Sequence, residues 1–423
     1  MTTLARARER LLDDVARLRR YTCVQTIKRQ YFASPFNSET ANSCTDIITA
    51  HDKRRHELAL DSWDRLRLEV AAAGRTAIYS WVGATRLGEA TLKEIAGKGA
   101  FGSGDFGPFI TAIFTVATLK FEKETVVNGR RLLEYSYDVP ANVSKYQIME
   151  TNSKDWFRTA YTGTFLLDPA DSDLVRLTVR TAELPPETGK CQAISEVDYG
   201  RVLIHGGLAL IPQQTRLRVI GRTGEETFNV ATYANCHEFG SKTVIRFDSA
   251  DVSTSGAANK PALPTENPFP PGLHFDLRIV TPIDSDVAAA GDRLDAVLRS
   301  PIRDKKGNVL ATAGTHLHGR LVKMEQHSPP ATVLEFAVVM ESIDMNGTAA
   351  PISMVLDPHN GSLAYHVNKI KYGQLIASDG HFSYYGMHLK VDHLDAKGVT
   401  TAPFPPKNEE SNPPAAPAGA DKK

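Results

Sequence analysis

Between Arg65 and Val70 the chain alternates without a break: Leu66, Leu68 and Val70 are apolar, while Arg65, Arg67 and Glu69 are charged. A period of two sends each set to its own face, so this stretch predicts a half-buried antiparallel strand. AIYSWVG follows as another strand. Asn128-Gly129, set between FEKETVV and RRLLEYSYDV, predicts a hairpin because both turn residues tolerate positive φ. The run Asp168 to Asp173 turns GTFLL into LVRLTVRT, and Cys191 to Phe247 predicts four more strands turning near Gly206-Gly207, Thr223-Gly224 and Gly240.

Helical spacing is the minority pattern, and besides TLKEIA before the glycine run it is found in two places. Leu4, Leu11, Leu12, Val15 and Leu18 recur on one face, which predicts an amphipathic helix docked on a sheet; Glu9, Asp13 and Asp14 dilute the positive charge that a membrane-surface helix would need. Phe106, Ile110, Ile113, Phe114 and Ala117 share a second helical face, with Pro108 in the first turn. Residues 1–249 therefore read as an α+β domain, a curved antiparallel sheet with a few helices.

Residues 250–272, dense in Pro, Ser, Thr, Asn and Gly, read as a linker. Residues 273–395 read as an all-β domain with turns at Lys306-Gly307-Asn308, Ala313-Gly314, Ser328-Pro329-Pro330 and Asn346-Gly347, closing into a small barrel that removes exposed edges. Residues 396–423 read as a disordered tail, too poor in apolar side chains to offset their ordering entropy.

Length and composition fit this division. A chain of 423 residues with 42% hydrophobic content is too long for one ordinary core, and 49 charges of each sign argue against a nucleic-acid partner. No apolar run reaches the length of a membrane span. The first twenty residues carry charge throughout, unlike a secretory signal, and at face value place the chain in the cytoplasm. Cys23, Cys44, Cys191 and Cys236 argue the other way: an even count without a C-x-x-C pair is compatible with two disulfides, and three connectivities are open.

Several motifs resemble chemistry without its context. Gly97 to Gly102 matches G-x-G-x-x-G, but no strand precedes it, so it reads as a flexible loop, extended by Gly104 and Gly107, that gates a cavity. His51 and His56 in HDKRRHE lack zinc-protease spacing and read as an exposed strand or turn. His316 and His318 share a strand face, with His327 beyond, and offer metal-ligating nitrogens without a placed carboxylate. Asp168, Asp171 and Asp173 read as turn formers, and no G-x-S-x-G element is present. Phe101, Phe106, Phe109, Phe114, Phe121, Tyr135 and Tyr137 gather around the glycine loop as core. Within that set, Phe106, Ile110 and Phe114, with Gly102 and Gly104, are the candidates to line an apolar ligand cavity.

The segments YTCVQTIKRQYF, DSWDRLRLEVA, AIYSWVG, GSGDFGPFITAIF, LEYSYDVP, YTGTFLLDP, LPPETGKC, ALIP and YANCHEF resemble a family of uncharacterised exported bacterial proteins. Its arrangement is similar to the outer-membrane lipoprotein carrier fold, over roughly Leu11 to Phe247. All four cysteines fall within those stretches, which strengthens the disulfide reading. Gly291-Asp292, Pro301, Gly307, Ala313-Gly314-Thr315 and Gly319 resemble the β-barrel module of TrbI-type conjugal-transfer proteins. The chain departs from those secretion proteins in lacking an inner-membrane helix and a long proline-rich region. It departs from the exported family in lacking a leader, which a segment preceding Met1 would reconcile.

The resemblances imply a non-enzymatic periplasmic or cell-envelope protein that binds a lipid, an acyl chain or an envelope partner, with no cofactor, no metal, no catalytic residues, no nucleic acid and no transmembrane segment. The alternatives are a hydrolase using His316 and His318 with a metal, and a structural assembly subunit.

Overall fold

In a computed structural model, the described residues are 3–18, 21–36, 43–54, 58–73, 76–84, 100, 106–148, 155–204, 207–238, 269–328, 332–345, 347–356, 375–378 and 380–401. The N-terminal lobe contains α1 (Thr3–Leu18), β1 (Tyr21–Phe32), α2 (Cys44–Arg54), β2 (Leu60–Ala73), β3 (Thr76–Trp81), α3 (Phe106–Val116), β4 (Thr118–Val127) and β5 (Arg130–Val139). It continues through β6 (Gln147–Ile148), β7 (Phe157–Arg158), β8 (Tyr161–Leu167), β9 (Leu174–Thr181), β10 (Lys190–Ile204), β11 (Gly207–Gly221) and β12 (Glu226–Glu238). The principal strands pair antiparallel in the order β3–β2–β1–β12–β11–β10–β9–β8–β5–β4.

Sequence logic is visible in this sheet. Leu66, Leu68 and Val70 are buried as their alternation requires. Asn128 and Gly129 both take positive φ at the β4–β5 turn. On one face of the sheet, α1 and α3 pack together: Ala7, Leu11, Ile110, Ile113 and Phe114 close over Tyr135, Tyr137, Phe165 and Leu177. Arg201 fixes α1 through Asp14 at 2.9 Å while holding Asp173 at 2.6 Å. Ser43 caps α2 by accepting a hydrogen bond from the Asp46 amide.

Cys23 is bonded to Cys236 and Cys44 to Cys191. Neither bridge links the members of a pair close in sequence. The first ties β1 to β12, its ladder neighbour, and the second pins the start of α2 to β10.

The C-terminal lobe contains β13 (His274–Ile279), β14 (Ile283–Asp284), β15 (Arg293–Leu298), β16 (Ile302–Arg303), β17 (Val309–Ala311), β18 (His316–His327) and β19 (Val333–Met345). It ends with β20 (Thr348–Pro351), β21 (Met354–Leu356), β22 (Leu375–Ser378), β23 (His381–Tyr385), β24 (Lys390–Val391) and β25 (Leu394–Thr400). Its core is a cluster that includes Phe275, Leu277, Leu317, Phe336, Met340, Ile343 and Phe382, with Phe336 and Phe382 stacked at 4.8 Å.

Two expectations about architecture are corrected. The molecule is mainly β, with three helices among the described residues, rather than an α+β domain beside a separately closed barrel. Strands of both lobes join one nineteen-stranded network, and no separate closed barrel is delimited among the described residues. The cause is β2: its C-terminal half pairs with β3, leaving the same side of its N-terminal half to β18 through Asp64↔Glu325, Trp63↔Gln326 and Ser62↔His327.

Boundaries also move. Residues 250–268 of the expected linker lie outside the described residues, but Phe269 is buried edge-on against Phe275, so the second lobe's packing starts there. The expected tail begins inside β25, which runs to Thr400 with Ala396 buried; residues 402–423 lie outside the described residues.

Candidate functional site

Of the five residues expected to line an apolar cavity, three lie among the described residues. Ile110 and Phe114 are buried on α3, and Phe114 meets Phe165 at 5.1 Å, which in turn stacks on Tyr135 at 5.2 Å. Phe106 opens α3, whereas Gly102 and Gly104 lie outside the described residues. The space between α3 and the sheet is filled by aromatic rings and by Ala7 and Leu11 of α1. On the opposite sheet face a hollow of about 530 Å³ has a mixed lining, with Ser136, Thr162, Thr164, Thr178, Arg180 and Glu196 beside Tyr137, Val179 and Ile194. Burial pushes the Tyr137 hydroxyl well above its ordinary pKa, and that hydroxyl donates to the Thr178 carbonyl.

His51 also differs from its sequence reading. It is buried in α2 rather than exposed, with Nδ1 at 3.1 Å from Glu226 and Nε2 at 2.8 Å from the Gly224 carbonyl. Arg218 donates to Glu226 and to Asp52, each at 2.7 Å. The charge of HDKRRHE suggested solvent, but the Cys44–Cys191 bridge holds α2 against the sheet and turns His51 inward.

His316 and His318 do not converge on a metal geometry. His318 directs Nδ1 to Asp295 at 2.8 Å and Nε2 to Asp344 at 3.3 Å, while His316 lies at the exposed start of β18, opposite Val297. His327 meets two carboxylates that lie close to one another, Glu325 on its own strand and Glu335 on the next.

A connected row of charged side chains lies at the seam between lobes. Strand register aligns Arg29 of β1, Asp64 of β2, Glu325 of β18 and Glu335 of β19 in one row across four strands. Arg29 grips Asp64 with two hydrogen bonds of 2.7 Å, and Tyr31 donates to the same carboxylate at 2.9 Å. Burial, then the Asp64 charge and hydrogen bond outweighing Arg29, keeps the Tyr31 hydroxyl protonated far above its usual range. Glu325 and Glu335 stand directly opposite one another, a costly placement for like charges unless a cation answers it. Lys323 does so, at 3.4 Å from Glu325 and 2.5 Å from Glu335. Burial lowers the Lys323 pKa, but these two carboxylates outweigh it and raise the net value.

The other face of the seam is built from arginines and backbone. Trp63 is buried in the C-terminal core and donates to Gln326, with the Lys28 ammonium and Arg65 guanidinium over its ring at 5.0 and 5.1 Å. Arg65 donates to the carbonyls of Ser285 and Ala288, both at 3.0 Å, and Arg67 pairs with Asp292. Ala290 and β2 exchange backbone hydrogen bonds, Arg67 N to Ala290 O at 2.7 Å and Ala290 N to Arg65 O at 2.9 Å. Arg320 reaches back to the Val82 carbonyl at 2.9 Å.

Sequence reasoning passed over Arg29, Asp64, Glu325 and Glu335. A usable signal was present at Asp64, which falls in the same period-two set as Leu66 and Leu68 and so places an acid on an apolar face.

No family model matches the chain, and no curated protein or solved structure matches it. Among the described residues, no helix is long and apolar enough to cross a membrane.

Proposed function

We propose that this chain is a non-enzymatic envelope protein, housed in an oxidising compartment such as the periplasm, whose N-terminal lobe holds an acyl chain or similar apolar ligand. The observation that supports this reading is the α1–α3 layer laid over Tyr135, Tyr137 and Phe165. In this reading α3 acts as a lid, and lifting it would expose the apolar floor formed by Tyr135, Phe165 and Leu177. Two disulfides fit an oxidising compartment. We read the C-terminal lobe as a docking module, in which β20 pairs with β19 and β21 with β25.

Native mass spectrometry and lipid extraction of protein purified without detergent test the ligand. A bound acyl species, lost in Phe114→Asp, supports the reading. Protein free of lipid that also fails to bind a fluorescent fatty acid ends it.

A second reading, partner binding by strand addition, is favoured by β4. That strand pairs with β5 along one side, and among the described residues no strand covers the other, while Phe121 and Val126 are exposed. A proline placed at Glu124, which would remove an edge amide, separates the two readings: it weakens partner capture and leaves lipid binding intact.

A further inference from the structure

We propose that Glu325, His327 and Glu335 form a binding site for a divalent metal ion of the zinc type at the seam between the lobes. Their ligand atoms all lie within 4.8 Å of one another. His327 Nε2 stands 3.3 Å from Glu325 Oε1 and 3.7 Å from Glu335 Oε2. A tetrahedral zinc ion with bonds of about 2.0–2.1 Å has ligand-to-ligand edges of about 3.3–3.4 Å, so two of the edges already approach the required length.

Strand geometry explains the convergence. Glu325 and His327 are two residues apart on β18 and share a face, and Glu335 is the direct cross-strand partner of Glu325 on β19. One imidazole and two carboxylates form a donor set suited to zinc, and a water completes the fourth position. Lys323, two residues before Glu325 on the same face, occupies the place of the cation in this structure. Its side chain is about one-third exposed, so it swings to solvent when a metal ion enters. The ion would cross-link β18 and β19 where β18 pairs with β2, since His327 is the register partner of Ser62.

Zinc titrated calorimetrically into untagged, chelator-treated full-length protein tests the site. One ion binds per chain, and His327→Asn and Glu335→Gln each weaken binding by about tenfold or more. Both side chains are about one-third exposed, so these variants keep the fold. A His316→Asn, His318→Asn double variant binds like the parent. Lys323→Met binds zinc more tightly, because the competing ammonium is gone, an effect that adventitious binding to surface histidines would not show. Absence of saturable one-to-one binding, affinity unchanged in a His327→Asn, Glu335→Gln double variant, or weaker binding in Lys323→Met overturns the assignment.

Discussion

The backbone carbonyl of Arg67, in the N-terminal lobe, lies 2.0 Å from the point a β-carbon on Gly291 would occupy, so the C-terminal lobe approaches β2 only because residue 291 has no side chain. Gly291 also takes φ +109°, a conformation L side chains rarely adopt. Gly291→Ala therefore meets both a closed space and a strained backbone, the second alone costing about 1–3 kcal/mol. Differential scanning calorimetry should show a lower transition or two separate ones. A single transition at the parental temperature would contradict this account of the seam.

Arg29 and Asp64 form a second, more buried dependence. Their side chains are 3% and 11% exposed, so Arg29→Met strands a buried carboxylate, at a cost of about 3–5 kcal/mol. Adding Asp64→Leu should restore much of that loss, since the uncompensated charge is then gone. Urea denaturation of the two variants measures the difference. Equal stabilities for the single and double variants would show that the pair is not coupled.

Removing the Cys44–Cys191 bridge should loosen α2 selectively. The chain-entropy account gives about 5 kcal/mol for closing a loop of this size, and the bridge spans 147 residues. In a Cys44→Ala, Cys191→Ala variant, hydrogen exchange should accelerate across residues 44–54 while β1 and β12, still joined by Cys23–Cys236, keep their protection. Uniform acceleration throughout the N-terminal lobe would refute a local role.

His318 supplies a pH dependence with a defined sign. Its hydrogen bond to Asp295 raises its pKa; desolvation opposes this, and Asp344 reinforces the rise. The folded protein thus holds the proton more tightly than the unfolded chain does. The resulting stabilisation is complete below the unfolded imidazole value of about 6.5 and is lost as pH rises through the folded value. The side chain is 44% exposed, so solvent screening keeps the effect below about 1 kcal/mol. Melting temperatures of the parent and of His318→Gln, compared from pH 6 upward, should differ most at the acid end. A difference that grows with pH would reverse the assignment.

Local features of this molecule were legible in its residues, and long-range ones were not. The alternation around Leu66, the Asn128-Gly129 hairpin and the docking face of α1 follow from short periodicities that hold in any context. The four cysteines could be singled out, but their partners lie 213 and 147 residues away, and pairing at that range is decided by which strands become neighbours. The β2–β18 ladder is hidden for the same reason. Gly291 and Asp292 stood out as part of a β module. Their work is to admit the Arg67 carbonyl and to pair with the Arg67 guanidinium across the seam. At the candidate site the misreading came from treating histidines by their sequence neighbours, when His51 and His327 are defined by Glu226, Glu325 and Glu335 on other strands or farther along their own.

The strand nearest the N-terminus, β1, sits in the interior of its sheet, between β2 and β12. A chain synthesised from residue 1 onward carries an open edge on β1 until residues 226–238 emerge, and Cys23 waits equally long for its thiol partner. A polypeptide cut short before β12 is left with an adhesive border rather than a smaller native domain.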